Sequence, residues 1–349
     1  MIVQTTDDQK LALLETALAQ SNFWSHIDGA RRRAEVEPGD VRIVVKPDLT
    51  LFDQGAPSGT DPALVEHLID LLHERGYSQV SVGASRDSFD LWLENRDVVI
   101  LADLVGYRFI TEQGHAYDVL DLGEDLVDAP FPAGGVLHGS GLARAWLEAH
   151  YRISFAKNKT DEEYFYALGL QNLLGVLPLR DKDYHYRHRL KPWDAGVELL
   201  RAAPPHFSIV DAFVSNHGSA GSREARPIAT RTLIASQDLL LADWAAASKI
   251  GVDPAASPIN AAALRAIGLP PGYAVDGDLA PYRGWINVHP LLADSVRRRN
   301  EWVGLSRTLK PWLQSVNQEL FPFKDLIDGR VNTVLSRYLS NPDENPLAF

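Results

Sequence analysis

Hydrophobic positions change period several times along the chain. Residues 8–35 carry Leu11, Leu13, Leu14, Ala17 and Leu18 at helical spacing, with Arg31–Arg33 near the end, and read as one helix. Val41–Val45 is a short β-branched run of the kind that forms a buried strand. A Gly/Pro/Asp-rich loop, Pro47 to Gly59, follows. Thr60 or Asp61 can then cap a helix with Pro62 in its first turn, and Leu64, Val65, Leu68, Leu71 and Leu72 form its apolar stripe. Gly76 suits its C-terminal stop, and Gln79–Val82 is the next strand. This β-α-β order predicts parallel pairing.

The alternation continues with a helix over 88–106, a strand at Tyr117–Leu120, a helix over Leu142–His150 and a strand at Arg152–Ala156. Ser208–Val214 reads as a strand, and Leu239–Ile250 and Ala261–Ile267 as helices. The predicted fold class is α/β: a mostly parallel sheet with helices on both faces, in Rossmann-like layers. From about 294 the pattern becomes helical only, through Val303, Leu309, Trp312, Val331 and Leu335. We therefore expect an α/β core over 1–293 and a helical extension over 294–349, with a loosely ordered tail from Asn341.

Composition narrows the chemistry. The 349 residues include no cysteine, which excludes disulfides, Cys-ligated zinc, thiol nucleophiles and an iron–sulfur cluster on protein thiolates. The net charge of −12 argues against a nucleic-acid partner. The polar N-terminus lacks the pattern of a secretory signal, and no run reaches the length of a membrane span. A cytoplasmic protein without a membrane partner is the expectation.

Against this acidic background, lysines at strand ends stand out. Lys46 leaves the first predicted strand at its carboxyl end, where open α/β sheets bind ligands; a solvated lysine opening a loop is the plainer alternative. Lys157 and Lys159 would share one strand face if the strand runs that far. Two ammonium groups about 7 Å apart repel unless an anion lies between them, although Asp161, Glu162 and Glu163 could neutralise them instead. Asn172 lies among apolar residues and needs hydrogen-bond partners if buried.

The segment 184–191 is basic and holds His185 and His188 one helical turn apart. It can attract an anion or form a metal pair. Asp211 ends a strand before a loop with Asn216, His217, Gly218 and Ser222; the glycines permit close approach to a ligand, but the loop lacks a phosphate-binding fingerprint. Ser236 or Asp238 caps the helix from Leu239. Asp243, in an almost wholly apolar helix, is expected to be buried and paired, hydrogen-bonded or metal-bound.

Together these stretches resemble the DUF362 family, named for an uncharacterised domain. The matching pieces are Lys46-Pro47 with Thr60-Asp61-Pro62, Lys157-x-Lys159-Thr160, Asn172-Leu-Leu-Gly175 followed by His185, Ile209-Val-Asp211 with its Gly-rich loop, and Ser236-x-Asp238 with Asp243. They run in family order over about residues 40–280. The resemblance implies no assigned reaction, and the ferredoxin-like module of some members is impossible here. Three positions depart from the family pattern: Asp48 replaces an asparagine, Asp161 a histidine and Gln171 a lysine.

The resulting functional expectation is an enzyme of isomerase or lyase type acting on a small anionic metabolite by acid/base chemistry. Lys46, Lys157 and Lys159 would hold a carboxylate or phosphate, with Asn172, Gly218, Ser236 and Asp238 lining the site. His185, His217 or a lysine would move protons. Asp211, Asp238 and Asp243 would orient these groups or hold a divalent metal through oxygen; the cofactor is otherwise unknown. A non-catalytic anion binder and a redox accessory using a partner's cofactor are the alternatives. Trp285, Trp302 and Trp312 suit either a core or a homo-oligomer interface.

Overall fold

A five-residue strand with no exposed position organises the molecule. Ile43, Val44 and Val45 are β-branched, and β2 (Ile43–Pro47) is buried throughout. Val45 and Ile43 face one apolar cluster and Val44 another, so β2 lies between two layers of helices. The computed structural model describes residues 1–49, 58–86, 97–178, 192–218, 226–296 and 298. Residues Met1–Glu301 form one compact unit. The helical pattern expected from Val303 onward lies outside the described residues.

Parallel pairing joins β2 to β3 (Val80–Ala84) on one side and to β7 (Tyr151–Asp161) on the other. β4 (Asp118–Asp121) extends the sheet beyond β3, and β9 (Phe207–His217) extends it beyond β7, both in parallel. Then β10 (Arg226–Ser236) and β1 (Ile2–Gln4) are added antiparallel. The order is β1-β10-β9-β7-β2-β3-β4, with β8 (Phe165–Ala167) hairpinned onto β7. The predicted α/β class with a mostly parallel sheet holds.

Helices α1 (Lys10–Gln20), α2 (Phe23–Ala34) and α3 (Pro62–His73) bury Leu14, Leu18, Phe23, Ile27, Leu64, Leu68 and Leu72 on the Val45 face. α4 (Val98–Val105) follows Asp97, whose carboxylate caps Val99 and Ile100, and adds Leu101 to this layer. On the Val44 face lie α6 (Gly169–Leu174), α7 (Pro192–Ala202) and α9 (Pro258–Ala266). There α8 (Leu239–Lys249) packs alanines onto Val210 and Ile234. Among the described residues, no helix is long and apolar enough to cross a membrane.

Three element expectations change. The single helix over 8–35 breaks at Ser21-Asn22, where Asn22 is left-handed (φ 59°), a conformation asparagine tolerates. The helix over Leu142–His150 is a strand, β6 (Gly141–Ala143), paired with β5 (Leu126–Asp128), and a single turn, α5 (Arg144–Leu147). A short apolar run fits either period, and here a distant partner strand decides. Of the helix over 88–106, the stretch 98–105 is helical and 87–96 lies outside the described residues.

Candidate functional site at the carboxyl end of the parallel strands

From β2 the chain winds through α3 to β3 and β4 on one side; from β7 it winds through α6 and α7 to β9 on the other. The winding direction therefore reverses between β2 and β7. Beyond the carboxyl ends of two such strands lies the crevice where open α/β sheets place ligands. Lys46 and Asp48 reach this edge from β2, and Lys157 and Lys159 from β7.

The two strands divide these lysines between faces. Lys46 is in register with Ser154, so it shares that residue's face, while Lys157 and Lys159 alternate with it onto the other. The expected grouping of all three about one anion is therefore not what the fold builds. Lys157, 1% exposed, pairs with Asp211 at 2.8 Å. Lys159 pairs with Asp48 at 2.7 Å and also donates to the Ser58 carbonyl at 3.1 Å. Each ammonium thus has its own carboxylate, rather than a shared anion or the Asp161–Glu163 run. Asp161 instead accepts the Glu163 and Tyr164 amides at 2.8 and 2.7 Å and the Gln171 amide at 3.1 Å. Two of the departures from the family pattern are therefore in direct contact, and the third is the counter-ion of Lys159.

The start of α3 organises the Lys157 face. Asp61 caps the helix through the Ala63 amide, and its own N–H donates to Asp211 Oδ2 at 3.0 Å. Phe213 N–H reaches Asp211 Oδ1 at 3.0 Å. Asp211 is thus held by two backbone donors and one ammonium, while Asp61 also pairs with Lys10. Thr60 is not the cap. Its hydroxyl donates to the Phe155 carbonyl at 2.6 Å and accepts the Asp48 N–H at 2.9 Å, closing the base of the loop between β2 and α3.

On the opposite face, Lys46 is fully buried rather than solvated. Its ammonium donates to Asn172 Oδ1 at 2.8 Å and to the Pro47 carbonyl at 3.0 Å. The Asn172 amide donates to the Lys46 carbonyl and to Ser154 Oγ, both at 3.1 Å. A Cβ at Gly175 would stand 2.6 Å from Lys46 Nζ, so glycine there makes room for the ammonium. Asp243 anchors the other end of α6: it accepts Gly169 N–H at 2.7 Å, Leu170 N–H at 2.9 Å and the Asn260 amide at 2.8 Å. Burial pushes its carboxyl up to about 6 despite these three donors.

Other predicted site residues serve local structure. Asp238 accepts the Leu241 N–H at 2.7 Å and caps α8, and Ser236 Oγ accepts the Asp238 N–H at 3.0 Å. Burial raises the Asp238 carboxyl. His217 follows Asn216, the register partner of Lys159, but its Nδ1 accepts the Ile286 N–H at 2.9 Å and its ring lies against Trp285. Burial, then Arg226, holds its imidazole below the usual range. Gly218 N–H donates to the Ile286 carbonyl at 3.1 Å. His185 and His188 lie outside the described residues. Sequence reasoning missed Ser58 and Ser154; Gly175 lies in the Asn172-Leu-Leu-Gly175 stretch, but its place beside Lys46 depends on the packing of α6. Among the described residues, no group of three or more His, Asp or Glu could hold a metal ion.

Comparison with known proteins agrees with the family resemblance. No curated protein matches the chain. The solved structures similar to it include the lactate racemase apoprotein from Thermoanaerobacterium thermosaccharolyticum, at 12% identity and a TM-score of 0.36, covering 61% of this chain and 52% of that one. A structural-genomics crystal structure of a Thermotoga maritima protein is similar at 16% identity and a TM-score of 0.37, covering 62% and 55%. The chain spans about half the length of these two proteins. The family described as "Domain of unknown function (DUF362)" matches residues 43–248, more than half of the chain and every strand from β2 to β10. The chain belongs to the DUF362 family.

Proposed function

We propose that the chain is an enzyme that binds a small carboxylate- or phosphate-bearing metabolite in the crevice between β2 and β7. It acts on this ligand by acid/base chemistry of the isomerisation, elimination or cyclisation type. The observation that carries this reading is Lys157. An ammonium has three N–H donors, and among the described residues this buried one has a single acceptor, Asp211 Oδ2. Two donors remain beside the switch point, where a ligand oxygen would satisfy them. Asp211, held from three sides, keeps the Lys157 side chain aimed, and Lys159 lies on the same face. In this role Lys157 binds the ligand's oxyanion and supplies a proton to oxygen as charge develops there.

The test is a panel of small carboxylates and phosphates assayed for binding and turnover with wild type and with K157M/D211N, which removes both charges together. Turnover of one substrate by wild type and at least a hundredfold loss in the double variant supports the proposal. Unchanged turnover in the double variant rejects it.

A second reading, binding without catalysis, draws on a specific observation. Both Asp211 oxygens, both Asp243 oxygens and His217 Nδ1 already accept hydrogen bonds within the fold. Saturable binding with no chemical change across the panel would favour it.

A further inference from the structure

Tyr107 is buried, 1% exposed, yet its hydroxyl has no hydrogen-bond partner among the described residues. A buried hydroxyl without a partner is uncommon, and each one calls for a cause. The segment that follows shows where Tyr107 stands. It runs along α3 and back. The Arg108 N–H donates to Glu66 at 2.9 Å, the Thr111 hydroxyl donates to Asp70, and the Gln113 amide reaches Glu74 at 3.2 Å. On the return, His115 Nδ1 meets Asp70 at 2.8 Å and the Tyr117 hydroxyl donates to Glu66 at 2.7 Å. These contacts step along α3 one turn at a time. Tyr107 precedes Arg108 and so continues the series toward the start of α3, where the Asp61 N–H donates to Asp211. Burial above all, then Tyr117, Asp61, Glu66 and Asp211, raises its hydroxyl well above the usual range, so Tyr107 is a neutral donor.

The acceptors that act on this hydroxyl are committed elsewhere. Asp61 accepts the Ala63 amide and pairs with Lys10, and Glu66 accepts from Arg108 and Tyr117. Asp211 accepts two backbone N–H groups and Lys157. What stays unmatched at this end of α3 is a set of donors, namely the Tyr107 O–H and two N–H groups of Lys157. From this juxtaposition we infer that Tyr107 is a second ligand-binding residue of the Lys157 site: its hydroxyl donates to one oxygen of the carboxylate or phosphate that Lys157 holds by another. This rests on the anion-binding reading above and deepens it. Unmatched donors suit an acceptor-rich ligand and reject a cation. Lys157 comes from β7 and Tyr107 from the end of α4, so together they fix the ligand's orientation as well as its charge.

Calorimetric titration with inorganic phosphate and with acetate tests this, using wild type, Y107F and K157M/D211N. Y107F removes the hydroxyl oxygen and nothing else. We expect it to bind at least one of the two anions tenfold or more weakly than wild type does, the loss of one hydrogen bond to a charged group. Its thermal midpoint should be no lower than that of wild type, because the hydroxyl has no partner in the fold to lose. A lower midpoint would show that the protein itself holds the hydroxyl and would overturn the inference. Affinity of Y107F equal to that of wild type, with K157M/D211N defective, overturns the role of Tyr107 and leaves anion binding at Lys157 standing. Wild type that binds neither anion, or binding undiminished in K157M/D211N, overturns both.

Discussion

The two faces of the sheet at the β2/β7 switch point bury lysines in different ways. On one, Lys157 and Lys159 meet carboxylates at 2.8 and 2.7 Å. On the other, Lys46 donates to a side-chain amide and a backbone carbonyl, in a space kept open by Gly175. A buried ion pair carries a desolvation cost that its Coulomb energy offsets only with good geometry, so it is poor evidence of a device for stability. An amide-held lysine is part of a hydrogen-bond network that fixes α6 to β2 and β7. The comparison separates a face where buried lysines meet carboxylates from one where a buried lysine joins the hydrogen-bond network that ties α6 to β2 and β7.

The strongest way to break this contrast is to orphan a buried charge. K157M leaves Asp211 uncompensated in the interior, and urea unfolding should show a loss of about 3–5 kcal/mol. Neutralising its partner as well, in K157M/D211N, should restore part of that loss. A single variant as stable as wild type would erase the contrast between the two faces.

On the Lys46 face the effect should be smaller. N172A removes an acceptor from the buried Lys46 ammonium and a donor from Ser154, and should cost about 1–3 kcal/mol. The same variant should weaken anion binding less than K157M/D211N does, because Asn172 holds the frame. Equal loss of binding in both would erase the distinction between the faces.

A further expected effect is a pH dependence. Burial raises the Asp243 carboxyl from 3.8 to about 6, so between these values the folded chain binds the extra proton. The contribution of Asp243 to stability is then fully present below about pH 4 and is lost as pH rises through about 6. Denaturant midpoints measured from pH 4 to 7 should fall with that sign in wild type, and D243N should lack this component. A wild-type stability that instead rises across this window by the same component would show that the three donors outweigh burial.

Much of this arrangement is legible in the chain. Ile43–Val45, Asp61-Pro62 and the stripe from Leu64 give the β-α-β unit because local period and capping agree. Lys157 and Lys159 are legible as a same-face pair because strand alternation needs no tertiary knowledge. Their partners are not: Asp211 reaches Lys157 across 54 residues, through a register that the crossover sets. Asp243 is recognisable as a buried carboxylate from its apolar helix, but its service to α6 depends on packing. β10 was missed because Arg226, Pro227 and Arg231 interrupt its apolar pattern, and its pairing with β9 supplies what local sequence lacks.

The central claim is that Lys157 presents a ligand-binding ammonium in the β2/β7 crevice. The most direct measurement is the affinity of the best anionic metabolite from the panel for wild type and for K157M/D211N, with folding verified for both. A loss of at least a hundredfold in the double variant is the predicted result; undiminished affinity would contradict the account.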